Sequence, residues 1–465
     1  MTKWLPFKSV AACMLLLISI QDFSQNSQQN SKPKNTDSTL VWGVKFSGFV
    51  RNNVFYDSRQ VVSARPAVQG DLLLYPCATA NDVNGKDINA SPSLSMLAID
   101  SRLSVAITGP DAFGAKTSGT LEAEFFGNIS SSLGTTTNSS GPATSSVTGT
   151  EDVFRLRHAY VKLDWKHTQL LFGQYWHPLL VPECMPGLLS INTGIPFQPF
   201  SRNPQIRLTQ KVTSGLSVVL VASSQIESFV SQGSSTNVAL GSNTASPLFI
   251  DNAVIPDMSV QVQYKKGFFL GGVSIDYKEL RPAISQFTSD TANCKTLIAT
   301  TETVKSLSYD VFAKITTKPI VIKAEYVAGQ NLYDQIMIGG YLAYASQAPY
   351  HITYKPLNVA SVWLDIAGTS KKVAPGIFFG YTKNNGADAG AVASYSRGIT
   401  AGKLSIDNII RVTPRIEFYS GKFKVGAEIE FTQATFGIAG TDGKVTGTTT
   451  NVANYRALFV TAYYF

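Results

Sequence analysis

Residues 422–432 read KFKVGAEIEFT, and their alternation decides the fold. Phe423, Val425, Ala427, Ile429 and Phe431 fall on one face of an extended chain. Lys422, Lys424, Glu428 and Glu430 fall on the other. Successive side chains of a strand point to opposite faces, so this segment reads as a strand with one apolar and one polar face. Residues 93–108 (SLSMLAIDSRLSVAIT) repeat the pattern, setting Leu97, Ile99, Leu103, Val105 and Ile107 against Asp100, Arg102, Ser104 and Thr108. Extended along the chain, the same reading predicts sixteen strands, at 41–57, 94–109, 116–127, 153–165, 168–176, 204–212, 215–224, 257–266, 268–278, 304–317, 319–329, 358–367, 372–383, 405–419, 421–437 and 453–465. Most reach the roughly 9–11 residues with which a tilted strand crosses a bilayer.

The connections alternate strictly between long and short. The long ones are 58–93, 128–152, 177–203, 225–256, 279–303, 330–357, 384–404 and 438–452. The tight turns fall at 109–114, Lys166–His167, Thr213–Ser214, Gly267, Lys318, 368–371 and Ser420. This rhythm predicts an all-β fold, a closed transmembrane antiparallel up-and-down β-barrel of sixteen strands with both termini on one side. Paired β-sandwiches also show alternating strands, but they do not sustain a long-short rhythm over fifteen connections. Gln335–Tyr344 (QIMIGGYLAY) has the composition of a strand, yet a strand there gives an odd count. It is assigned to the sixth long loop, with a short helix as the expected conformation.

Composition agrees. The 465-residue chain is 44% hydrophobic and only 15% charged, against about 25% charged in an average soluble protein. Its net charge of +8 is diffuse, without a polybasic run, so no nucleic-acid partner is expected. Lys3 and Lys8 followed by the short apolar run Val10–Ile20 read as a signal peptide over 1–24, too short to span a bilayer. Cys13 precedes the Met14–Ile18 core and does not suit a lipoprotein anchor. Residues 25–40 read as a polar, disordered periplasmic leader, and 41–465 as the barrel. Cys77, Cys184 and Cys294 are far apart and form no CxxC, so neither a zinc site nor a disulfide framework is suggested. One disulfide between two of them stays open in an oxidising compartment.

The last strand reads NYRALFVTAYYF (454–465), with Ala457, Phe459, Tyr463 and Phe465 alternating back from the C-terminus. It resembles the terminal signal by which the barrel-assembly machinery recognises outer-membrane proteins, and Thr461 is a mild departure from it. Phe459, Tyr463 and Phe465 are its carriers, and their rings suit an interfacial aromatic girdle. Further segments are FSGFVRNNVFYDSR (46–59), FRLRHAYVKLDW (154–165), LLFGQYWHPL (170–179), PFSRNPQIRL (199–208) and GIFFGYTKNNG (376–386). Together they resemble the porin-like outer-membrane proteins of the Bacteroidota, distant relatives of the sixteen-stranded trimeric porins, over roughly 41–465. The resemblance implies a passive diffusion channel, a homotrimer among membrane lipid and lipopolysaccharide, and a third extracellular loop folded inward to constrict the pore. Outward small residues such as Ala457, Gly271 and Ala324 would permit close approach of subunits. The third loop is 177–203, stiffened by Pro178, Pro182, Pro186, Pro196 and Pro199. Its apolar stretches Leu179–Val181 and Leu188–Ile191 must pack on the inner wall, on a neighbouring subunit or on the loop itself.

The polar faces would line the channel with Arg51, Arg102, Glu122, Glu124, Arg155, Arg157, Arg207, Lys211, Arg411, Arg415, Glu428 and Glu430. In the porins that the chain resembles, basic residues of early strands face acids on the third loop. Here that loop carries one acid, Glu183, so a lopsided basic field and a weak anion preference are expected. Arginine suits the role because it stays charged and grips carboxylate or phosphate bidentately. Each arginine has a plainer reading as a salt-bridged lumen residue. His158, beside Arg157 and Tyr160, breaks the alternation and points to a lumen hydrogen bond or a bulge. The histidines at 158, 167, 177 and 351 show no HExxH or paired metal spacing, and no GxSxG is present. No enzyme, cofactor or metal site is therefore expected. The rival class is an interaction protein: an adhesin, a scaffold or a subunit of a larger surface complex with an occluded pore. Asp290–Ala292 resembles the Bacteroidota O-glycosylation motif, while Asn128 and Asn138 match only a eukaryotic sequon.

Overall fold

The computed structural model describes residues 42–64, 71–127, 153–226, 229–233, 244–287, 296–347 and 350–465. The signal peptide, the leader, Cys294, Asp290–Ala292, Asn128 and Asn138 lie outside them. Sixteen strands form a closed antiparallel barrel: β1 (Gly43–Asp57), β2 (Ser93–Leu97 and Arg102–Thr108), β3 (Lys116–Gly127), β4 (Val153–Asp164), β5 (Thr168–Trp176), β6 (Arg202–Lys211), β7 (Leu216–Ser223), β8 (Asp257–Lys266), β9 (Phe269–Leu280), β10 (Val304–Thr316), β11 (Ile320–Gln330), β12 (Asn358–Gly368), β13 (Val373–Gly386), β14 (Leu404–Ser420), β15 (Phe423–Ala439) and β16 (Val445–Tyr464). Each strand pairs with its sequence neighbours, and β1 closes on β16 with Phe55 opposite Leu458. Closure leaves no edge strand, so every ladder group in the wall can be paired within the protein. No helix among the described residues is long and apolar enough to cross a membrane.

Alternation sorts the wall as the sequence predicts. On β15, Phe423, Ala427 and Ile429 are exposed outward while Lys424, Glu428 and Glu430 are buried inside. Tight turns use Gly267 (φ +58°) and Gly421 (φ +56°), where an L side chain would be strained. The last residue is tied to β1, since the Gly48 N–H donates to the Phe465 carbonyl at 3.3 Å and the reverse bond is 3.1 Å.

Two readings need correction. Residues 94–109 are not one uninterrupted strand. Phe49 faces Arg102 but Asn53 faces Leu97, so 98–101 oppose only three residues of β1. The one-residue shift exchanges faces. Leu94 and Met96 point outward, while Leu97 and Ile99, placed above on one face with Leu103, Val105 and Ile107, pack inside the barrel. The second correction is QIMIGGYLAY. It does lie in the sixth long loop, but the short helix is only a 3₁₀ turn at Tyr333–Gln335. Gly339–Gln347 is a strand of a small loop sheet, flanked by Tyr350–Pro356 and Ala393–Arg397. It never joins the wall, and the barrel count is unaffected. Cys77 and Cys184 are both free.

Candidate functional site

The third long loop runs along the inner wall, and its backbone contacts trace the path. The His177 N–H donates to the Ser201 carbonyl at 3.0 Å and closes the loop base. The Pro178 carbonyl then accepts from Gln261 on β8 (2.7 Å), and the Met185 carbonyl from Lys323 on β11 (2.6 Å). Next, the Gly187 N–H donates to Asp365 on β12 (3.0 Å), and the Leu189 and Ser190 N–H groups to Glu428 on β15 (2.7 and 3.0 Å). Arg51 on β1 donates to the Leu189 carbonyl, Arg411 on β14 to that of Ile195 (2.7 Å), and Ser361 on β12 to that of Phe197 (2.7 Å). Wall polar groups thus take over the loop's backbone hydrogen bonds, which is what permits irregular chain inside a barrel.

Apolar packing accompanies these bonds. Leu180, Val181, Ile195, Phe197 and Phe200 cluster with inward-facing Phe312, Trp363 and Phe378 of the wall. Leu189 packs on Phe55, Leu458 and Val460. Two wall glycines make room: a Cβ on Gly380 would lie 2.6 Å from the Phe197 ring, and one on Gly426 2.6 Å from Leu189. The first long loop joins the same cluster through Leu72, Leu74 and Tyr75. Arg411 holds it by donating to the Leu73 and Leu74 carbonyls at 3.1 and 3.0 Å. The sixth loop adds Ile336 and Ile338.

On the opposite wall the expected residues converge on two carboxylates. Glu124 pairs with Arg155 (2.7 Å), Arg157 (2.7 Å) and Arg102 (3.1 Å), and Glu122 with Arg157 (2.8 Å). Arg51 is set apart, paired with Asp100 at 2.8 Å. Arg207 has no carboxylate partner among the described residues. It donates to the Gln205 amide oxygen and the Trp176 carbonyl, both at 3.1 Å, and lies 5.1 Å from the Tyr175 ring. Glu183 does not face these arginines. It pairs with exposed Lys265 at the turn end of β8, 2.6 Å away. The acids opposing the basic cluster come from the strands.

A bulge builds this cluster. Glu122 faces His158 but Ala123 faces Leu156, leaving Arg157 as the extra residue of β4. Arg155 and Arg157 both reach inside, and beyond the bulge His158 and Tyr160 turn inward too. The bulge read from His158 is thus present, and His158 and Tyr160 face the lumen, their rings 5.4 and 5.1 Å from that of Tyr175, the second edge-on. Sequence reasoning missed Arg202, buried between Trp176, Phe200 and Phe229 at 4.8–5.6 Å, with Nε and Nη1 unpartnered. Four arginines therefore stand near two carboxylates.

Exposure separates the two walls. Arg102, Glu122 and Lys162 side chains keep 23%, 18% and 29% of their surface, whereas Arg411, Arg415, Asp365 and Glu430 keep 0–1%. On the first wall the exposure is at the edge of the cluster, since Glu124, Arg157 and Arg202 are buried; on the second, Glu417 and Lys424 keep 12% and 11%.

No protein-family model matches the chain, and no curated protein does. Among solved structures it is similar to the outer membrane channel DcaP of Acinetobacter baumannii, at 15% identity and a TM-score of 0.57. That match covers 91% of this chain and 97% of that one. It is also similar to an anion-selective porin from Comamonas acidovorans, at 10% identity and a TM-score of 0.50, covering 91% of this chain and all of the other. At these identities the likeness shows the fold, and that fold is the porin barrel. The narrower resemblance to Bacteroidota proteins is carried by the sequence segments alone.

Proposed function

We propose that the chain is an outer-membrane porin through which small hydrophilic solutes diffuse passively, with a weak preference for anions. The observation that carries this reading is the basic cluster of β2–β4, where Arg102, Arg155 and Arg157 outnumber Glu122 and Glu124, and where Arg102 and Glu122 stay in reach of solvent. Confined wall charge raises the local concentration of counter-ions. The mature chain sits among lipid and lipopolysaccharide as a homotrimer with both termini periplasmic, placed there by the assembly machinery acting on Phe459, Tyr463 and Phe465. Native mass measurement in mild detergent tests the trimer, and a monomer refutes it.

One observation favours the rival reading of an occluded barrel used as an adhesin, a scaffold or a subunit of a surface complex. The lumen holds a continuous apolar cluster to which the first, third and sixth loops all contribute. Planar-bilayer recording separates the two. Stepwise conductance with anion-biased reversal potentials supports the porin. Silent insertion at every voltage supports occlusion.

A further inference from the structure

His177, Asp257 and Asp276 meet where the third loop leaves β5 and crosses β8 and β9. His177 Nε2 lies 3.5 Å from Asp257 Oδ2 and 3.4 Å from Asp276 Oδ1, and the three donor atoms fall within 4.8 Å of one another. All three side chains are buried. His177 Nε2 and both Asp257 oxygens have no hydrogen-bond partner. Asp276 accepts from the Ser259 hydroxyl at 2.6 Å, which orients it. The nearby ammonium of Lys278 is already engaged, donating to the Asn331 carbonyl at 2.8 Å and pairing with Asp334. Two carboxylates and an imidazole nitrogen thus point at one another in a dry place, with the Lys278 ammonium engaged elsewhere. Such a cluster must take up either a proton or a cation.

We propose that His177, Asp257 and Asp276 bind a divalent transition-metal cation of the zinc class, which staples the base of the third loop to the barrel wall. Contacts of 3.4–3.5 Å are long for charge-assisted hydrogen bonds. They match the edge, about 3.4 Å, of a tetrahedron drawn around a cation with bonds of about 2.0–2.1 Å. The imidazole donor disfavours calcium and magnesium, which take oxygen ligands. A double positive charge balances the two carboxylates, and water completes the fourth position. The Leu179 N–H lies 3.3 Å from His177 Nδ1. On binding, the ring proton shifts to Nδ1 and this long bond is given up.

The test uses the full mature chain, folded in detergent and stripped with chelator. Cobalt(II) and zinc(II) are the probes. We expect one equivalent bound, a tetrahedral cobalt absorption band, and loss of both in His177→Gln and in Asp257→Asn. His351→Gln, which alters the exposed His351–Glu302 pair (3.0 Å), should keep full binding and so reports adventitious surface sites. X-ray absorption of zinc-loaded wild type, expected to show one imidazole and oxygen donors, decides the matter even if a variant fails to fold. Absence of a stoichiometric site, a zinc shell without imidazole, or a cobalt band retained in His177→Gln overturns the proposal. Channel conductance plays no part in this test, so the staple and the porin reading stand or fall separately.

Discussion

Replacing Glu124 by Gln isolates the charge of the basic cluster. The carboxylate is fully buried and carries ion pairs from Arg102, Arg155 and Arg157. Counting Arg102, Arg155, Arg157 and Arg202 against Glu122 and Glu124, the local charge is +2 and becomes +3. An ion about 8 Å away in a watery lumen feels the added charge as about 0.5 kcal/mol, from 332/(80 × 8). That favours anions about 2.4-fold and disfavours cations equally, so the permeability ratio should rise about six-fold at low salt. At physiological ionic strength the Debye length is also about 8 Å, and screening cuts the rise to about two-fold. Breaking a buried ion network costs about 3–5 kcal/mol, so the variant should also unfold at lower denaturant. Reversal potentials across a KCl gradient at two ionic strengths are the assay. A ratio that stays fixed, moves toward cations, or rises without salt dependence would refute the view that this cluster sets selectivity.

Other consequences follow from the packed side of the lumen. Gly426→Val places a side chain where Leu189 sits, 2.6 Å from a Cβ at that position; the overpacking should cost about 1–3 kcal/mol in urea unfolding and alter single-channel conductance by shifting the third loop. Arg411→Met removes the donors that bind Ile195, Leu73 and Leu74 carbonyls and strands buried Glu430; a loss of about 3–5 kcal/mol and faster limited proteolysis of the first and third loops are expected. In a Cys294→Ser background, half-buried Cys77 should react with maleimide before Cys184, which is buried and donates to the Ala313 carbonyl at 3.3 Å. Denaturation should equalise the two, as read by mass spectrometry.

The barrel was legible because its outer face meets one uniform solvent. Lipid enforces a period of two wherever a strand crosses it, so Phe423, Ala427 and Ile429 declare both the strand and its register. The inner face meets water in one sector and packed loops in another, and no single period encodes that. A signal existed in GIFFGYT (376–382), where Phe378 is as apolar as outward Phe379 and Ile377. Apolar residues on both faces mean burial on both faces, and Phe378 is indeed fully buried beneath the loop. The His177 cluster was half legible. A hairpin turning at Gly267 sets Asp276 opposite Ser259, one alternate step from Asp257. The loop that delivers His177 to them follows no such rule.

Two departures from regular pairing flank β3, in mid-wall, and charge collects there; those of β12–β16 lie near strand ends, at Asn358, Ile406–Asn408 and Gly437–Ala439. The extra residue at 98–101 shifts β2 against β1, and the extra residue Arg157 shifts β4 against β3. A regular strand offers the lumen one side chain in two. A bulge breaks that limit locally and re-aims its neighbours. Arg155, Arg157 and His158 all reach the interior within four positions, and Arg102 sits directly opposite Glu124 on the other side. Across the lumen, the mid-strand stretches of β12–β15 keep their register and supply single acids and bases spaced two apart. There Asp365, Glu428 and Arg411 are spent on the backbone of the third loop. The bulge at Arg157 thus concentrates charge on β2–β4, and the evenly registered middle of β12–β15 distributes it where a loop must be held. Deleting Arg157, which restores the alternation of β4, should turn His158 toward the lumen no longer by bulge but by ordinary register against Glu122. It should leave the third loop in place and reduce anion preference, as a KCl reversal potential would record. A deletion that instead freed the third loop would show that the two walls are not independent.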